Sequence, residues 1–307
     1  MSKDRFFLLD AGASRPNSDS PPPGTTVKAG PRDTEGRFVL VETRGEGDIP
    51  AQVTGTTGVF GECDTSSDAF DAFVYVVDGD LGIDVAGRAH RLTGGMCALI
   101  PRGVTRTVHN LGGVGSAVHV LRLSVVGELP AVEEGAPVGE GASHPEAGEA
   151  EGRGRFFVLP RGGARPGRIA VPPAFGVKAR TADTAGLFSF LEVTVAQPIP
   201  RHTHHVADEC IYVLDGELRI DFDGRLHTAR QGQFALLPHG VPHAIRPGSN
   251  PPPRVLQISS PGGWECVVET LIEHRTEVSR GGRFDPAALN RHARRYGVTY
   301  EEDPANG

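Results

Sequence analysis

The chain repeats itself, and that repeat limits its fold more than any other feature. Arg5-Phe-Phe-Leu-Leu returns as Arg155-Phe-Phe-Val-Leu, Val27-Lys-Ala as Val177-Lys-Ala, and Asp33-Thr-Glu-Gly36 as Asp183-Thr-Ala-Gly186, all 150 residues apart. Further along, Val74-Tyr-Val-Val-Asp-Gly79 pairs with Ile211-Tyr-Val-Leu-Asp-Gly216, and Gly95-x5-Pro101-x-Gly103 with Gly232-x5-Pro238-x-Gly240, now 137 residues apart. The first copy therefore carries 13 extra residues before its Val-Tyr-Val-Val run. Self-similarity on this scale marks a duplicated domain. A chain of 307 residues is long enough for two cores of ordinary size. The expected boundaries are residues 1–126 and 155–307. Between them, 127–154 holds seven Glu and no Lys or Arg before Arg153. That composition buries too little apolar surface to fold and reads as an acidic flexible linker.

Within each copy, short β-rich runs alternate with turns. Ile211–Leu214 leads into Asp215-Gly216, and Leu218–Phe222 into Asp223-Gly224. Asp-Gly between alternating runs is a hairpin signal. Many short strands at this spacing predict an all-β class, with a β-sandwich or jelly-roll barrel in each copy. After Trp264 the chain changes character. Asp285-Pro286-Ala-Ala-Leu-Asn-Arg-His-Ala-Arg-Arg-Tyr-Gly297 has a capping Asp, Pro at the first helical position, late cations and a terminal Gly. It predicts a short C-terminal helix, packed on the second barrel through Leu289, Ala293 and Tyr296.

Six of the twelve histidines fall between positions 202 and 243. In an extended chain His202 and His204 share a face, with alpha carbons about 7 Å apart. Two imidazoles at that spacing converge on one ion at roughly 2.1 Å each. Glu209 adds an oxygen and His243 a third imidazole from a later strand. Three neutral nitrogens and a carboxylate form a mixed set that suits a divalent transition ion. Alternation turns His205 and Cys210 away from the set, and His227 and His239 read as ordinary polar residues. Ile211, Val213 and Ile245 share the inward face with the candidate ligands.

His-x-His, four residues, Glu209, six residues, Gly216, then Gly232-x5-Pro238-x-Gly240-x2-His243 resembles the two cupin motifs. Ala196 and Pro247 depart from the fullest form of those motifs, at positions that are not ligands. Over both repeats the chain is similar to the quercetin 2,3-dioxygenase-like bicupins. Arg155-Phe-Phe-Val-Leu, Asp183-Thr-Ala-Gly-Leu-Phe-Ser-Phe-Leu-Glu, Val255-Leu-Gln-Ile-Ser-Ser-Pro-Gly-Gly-Trp264 and Arg294-Arg-Tyr-Gly-Val carry the likeness. The resemblance implies two tandem cupin (jelly-roll β-barrel) domains. It also implies one divalent transition metal (Cu, Ni, Mn, Co, Fe or Zn) held by His202, His204, Glu209 and His243. The activity implied is a metal-dependent dioxygenase acting with dioxygen on an enolic, flavonol-like or polyketide-like small molecule, Glu209 taking the substrate proton. Cupin folds also host non-oxidative cyclases, isomerases and lyases and non-catalytic binders, so the fold alone leaves the reaction open.

The first copy lacks these ligands. Thr65, Ser67 and Ala72 stand at the positions of His202, His204 and Glu209, or Gln52 and Thr54 replace the two histidines if the insertion falls later. Arg106 replaces His243, and a fixed guanidinium charge repels a cation. One metal per chain, in the second copy, is expected, with the first a packing partner or an anion site at Arg106. The formal charge of −7 argues against nucleic acid or an anionic membrane as partner. Four dispersed cysteines, without a C-x-x-C pair, predict no disulfide framework. With no targeting segment and no membrane-length apolar run, a cytoplasmic protein is expected, a monomer with paired barrels or a homodimer.

Overall fold

The computed structural model describes residues 3–16, 21–46, 71–112, 115–125, 155–281 and 283–302. The expected linker at 127–154, and Gln52, Thr54, Thr65 and Ser67, lie outside the described residues. Each repeat forms a jelly roll of two sheets. In the second, a six-stranded sheet runs Phe7–Leu9, Phe234–Leu237, Asp208–Asp215, Arg254–Ser260, Ser189–Thr194, Phe175–Ala179. It faces a five-stranded sheet of Arg225–Arg230, Glu217–Phe222, His243–Pro247, Ile199–His204 and Val298–Tyr300. The first repeat has its own six-stranded sheet and a three-stranded one, Arg88–Thr93, Asp80–Val85, Arg106–Asn110.

The two Asp-Gly signals part company here. Asp223 and Gly224, at φ +49° and +76°, form the tight turn that joins Glu217–Phe222 to Arg225–Arg230. Positive φ at both central positions matches the twist of the flanking strands. Asp215-Gly216 instead marks a corner where the chain leaves one sheet for the other. A Cβ on Gly216 would come within 2.8 Å of the Pro253 backbone, so this corner admits only glycine.

Strand Asp208–Asp215 is buried on both faces. Ile211 and Val213 point into the second barrel, while Cys210, Tyr212 and Leu214 join a core between the two six-stranded sheets. That second core is built from both copies: the rings of Phe73 and Phe190 lie 4.5 Å apart. Burial pushes the Cys210 thiol far up, leaving an inert packing group.

The sheets do not follow the order of the sequence. Phe7–Leu9, from the start of the chain, pairs with Phe234–Leu237 of the second barrel. Phe157–Leu159, from the start of the second repeat, pairs with Cys97–Ile100 of the first. Each exchanged strand is locked by its preceding arginine. Arg5 binds the buried Asp208 at 2.5 Å, and its repeat equivalent Arg155 binds the buried Asp71 at 2.7 Å.

These anchors set a pH limit. Burial by itself would raise the Asp71 carboxyl, but the Arg102 amide and the Arg155 guanidinium outweigh it and hold it below its ordinary 3.8. Glu42, fully buried against Lys28 at 2.6 Å, is likewise held below 4.5 despite its burial, by His119, Lys28 and Tyr212. A carboxyl depressed in the folded state stabilises it fully above the unfolded value, and that stability fades as pH falls through the folded value. In chelator, thermal unfolding should therefore be flat from pH 7 to about 5 and drop steeply below about 4. A melting temperature unchanged down to about pH 3 would rule these anchors out.

Candidate metal centre

Strand Ile199–His204 brings His202 and His204 to one face, and His243 pairs across the sheet with His202. Glu209 reaches in from the opposite sheet near the start of Asp208–Asp215. One ligand atom from each of the four lies within 4.8 Å of all the others. The closest approaches are His202 Nε2 to His204 Nε2 at 3.1 Å and His243 Nε2 to Glu209 Oε2 at 3.1 Å. All four side chains are buried, at 1–3% exposure.

Two backbone carbonyls fix the tautomers. His202 Nδ1 donates to the Pro200 carbonyl at 2.8 Å, and His243 Nδ1 to the Val241 carbonyl at 3.0 Å. With the proton on Nδ1, each Nε2 turns a bare lone pair inward. Burial, reinforced by the neighbouring imidazoles, drives His202 well below its ordinary 6.5, and burial does the same for His204. Burial would raise Glu209, but the adjacent His243 and the Gln257 amide outweigh it and hold the carboxyl below its ordinary 4.5. The bare Nε2 atoms of His202 and His243 beside the Glu209 carboxylate make an electron-rich pocket that a cation would satisfy. The donor set therefore fits a divalent transition ion, with nitrogen and oxygen ligands in the ratio such ions accept.

A cupin domain family matches residues 190–258, a stretch that contains all four side chains. That stretch is similar to a cupin domain. Protein SchB of Streptomyces halstedii is 39% identical over 70 residues, 22% of this chain. The match spans about half, 51%, of the length of that curated relative. Among solved structures, Ylba from E. coli has a TM-score of 0.55 at 13% identity, over 83% of this chain and 90% of its own. A Pseudomonas aeruginosa protein described as glyoxylate-induced has a TM-score of 0.57 at 19% identity, over 83% and 88%. At such identities the likeness is one of fold, a two-domain cupin jelly roll.

Around the four candidate ligands stand residues that strand spacing did not single out. Gln257 donates to Glu209 Oε1 at 2.6 Å, leaving Oε2 toward the histidines. Trp264 lies 4.8 Å from the His204 ring, and Tyr300 stacks on His202 at 5.3 Å. Tyr300 arrives because Val298–Tyr300 adds a strand beside the ligand strand, pairing His202 with Tyr300 and His204 with Val298. The C-terminal segment is thus a wall of the site. It also holds more helix than its capping signals revealed. Trp264–Glu273 and Arg275–Val278 precede the expected Pro286–Ala293, whose Asp285 cap accepts from Ala287 and Ala288. Leu289 and Ala293 are buried against the barrel, with Tyr296 packed beside them.

The remaining histidines have other partners. His205 is exposed and bonds Thr299 at 2.8 Å, His239 pairs with Asp208 at 2.7 Å, and His227 lies 4.6 Å from the Phe6 ring. In the first barrel, buried Ala72 takes the place of Glu209 and Arg106 that of His243, while buried Arg122 stands where the second has Gln257. Two guanidiniums make that interior unsuited to a cation.

Gln257→Leu should lower metal affinity by roughly 10- to 100-fold, because a ligating carboxylate loses the donor that orients it. Competition against a chromogenic chelator measures this. Equal affinity in the variant would mean that Gln257 only packs.

Proposed function

We propose that the second barrel is a metal-dependent dioxygenase site of the quercetinase-like class, acting on an enolic aromatic or polyketide-like small molecule. The observation that carries the metal reading is the buried convergence of His202, His204, Glu209 and His243, with Nε2 lone pairs preset by the Pro200 and Val241 carbonyls. His202, His204, His243 and Glu209 Oε2 would hold the ion, which when bound supplies Lewis acidity to a coordinating hydroxyl and a binding position for oxygen.

The chain's own residues do the rest. Glu209 would be the proton acceptor for a substrate hydroxyl bound beside it, with Gln257 keeping Oε1 engaged. A carboxylate held below its ordinary 4.5 is a weak base, matched best by an acidified donor. That favours an acidified enol or phenol over an alkyl alcohol as substrate. Trp264 and Tyr300 supply flat faces beside the ligands, suited to an aromatic or conjugated ring. Burial keeps water from reactive intermediates.

Elemental analysis with oxygen uptake on a panel of flavonols and polyketide-like enols tests the reading. One metal per chain and substrate-dependent oxygen consumption that stops in anaerobic buffer are expected. Turnover that continues without oxygen would replace the dioxygenase with a cyclase, isomerase or lyase, and bound ligand without product would make the protein a binder. In the same assay Glu209→Gln should keep much of the metal but slow turnover by about 100-fold or more, the usual worth of a positioned base. Unchanged turnover would remove Glu209 from that role.

A further inference from the structure

A cleft of about 560 Å³ opens between the two barrels, away from the metal centre. Its walls are related by the internal repeat. Tyr75 and Tyr212 face it from the two copies, as do Gly95 and Gly232, and Asp78 and Asp215. The cleft therefore lies on the pseudo-twofold axis. Each tyrosine crosses to the other copy: Tyr212 donates to Glu42 at 2.6 Å, and Tyr75 to Glu192 at 3.1 Å. Behind each glutamate sits an almost fully buried lysine, Lys28 at 2.6 Å and Lys178 at 3.1 Å.

The symmetry fails in the basic residues, and in a way that points to a ligand. Arg161 stands where the first copy has Ala11, and Arg44 where the second has Thr194. Arg254 occupies the position of His119. Arg254 is engaged by Asp215 and Glu192, and Arg44 by Glu42. Arg161 is different: among the described residues no carboxylate pairs with it. Its stem rests on Gly95, where a Cβ would come 2.9 Å from Arg161 Cγ, so the arginine is seated at the cleft. Three arginines (Arg44, Arg161, Arg254) line the cleft against three carboxylates (Asp78, Glu192, Asp215), and Arg44 shares the buried Glu42 with Lys28 behind the wall. In a chain of formal charge −7, a cleft wall whose charges balance and whose Arg161 has no carboxylate partner among the described residues favours an anion over a cation.

We propose that this inter-barrel cleft binds a small anion, read by the Arg161 guanidinium with help from Arg44. Carboxylate and phosphate are the groups whose geometry a guanidinium fork matches. A ligand here touches both copies, so it would couple the barrels. The site is independent of the metal reading.

Isothermal titration of the metal-loaded full chain with succinate and, separately, inorganic phosphate tests it, the two arms distinguishing the anion. The wild type should bind at least one probe. Arg161→Ala, at an exposed residue outside the core, should weaken that binding about tenfold or more, the loss of one charge-assisted contact. His204→Ala should leave it unchanged, because the metal centre takes no part. No binding of either probe up to about 10 mM would overturn the proposal. So would equal affinity in Arg161→Ala, or loss of binding in His204→Ala, which would move the anion to the metal.

Discussion

Replacing His204 or His243 by Ala should strip the metal and abolish activity while leaving a folded barrel. Each histidine is one of four converging ligands, and removing any of them should cost more than the roughly 100-fold lost when only an orienting partner goes. The fold should survive because the apo centre is itself unfavourable: the bare Nε2 of His243 faces the Glu209 carboxylate at 3.1 Å, with His204 Nε2 crowded 3.6 Å from the same oxygen. Removing one ring relieves that repulsion and offsets part of the cost of the cavity it leaves. Metal content after dialysis and far-ultraviolet dichroism read the two parts separately. Stoichiometric metal in both variants would overturn the ligand assignment, whatever happens to turnover.

Severing the chain between the repeats should give two fragments that are insoluble or unfolded alone and fold when co-expressed. Each fragment would carry away a strand that belongs to the other barrel. The fragment beginning near Arg155 would leave Phe234–Leu237 as a bare edge, because its partner Phe7–Leu9 is on the other piece. It would also expose the inter-sheet core, where Phe7, Leu9 and Phe38 pack with Phe188, Phe190 and Phe234. An unpaired hydrophobic edge beside an apolar face is an aggregation site. A milder version keeps the chain intact: Phe7→Ala should destabilise the protein by about 3 kcal/mol or more, as for other buried aromatic truncations. Monomeric, cooperatively melting residues 155–307 on their own would show that strand exchange does not hold the barrels together.

The same exchange explains why chain order misleads in a duplicated protein. Phe7–Leu9 and Phe157–Leu159 occupy equivalent places in their repeats, and each pairs with the other repeat's sheet. Alternation specifies which side of a strand is apolar, and says nothing about which edge it joins. Two similar edges accept either strand, so the choice falls to the packing of whole sheets. Asp208–Asp215 shows a related effect. Its alternation is hidden because both faces are buried, one in the barrel and one between the barrels.

The sequence by itself determined the repeat and the all-β class, and singled out the four side chains that converge in the second barrel. Those features rest on local rules, the period of two along a strand and the short spacing between His202, His204 and Glu209. Only the tertiary structure decided that Gln257 holds Glu209, that Trp264 and Tyr300 wall the candidate ligands, and that an arginine-lined cleft opens between the barrels. These residues come from strands and helices distant along the chain. What they do depends on sheet order and on how two barrels stack, which side-chain pattern alone leaves free.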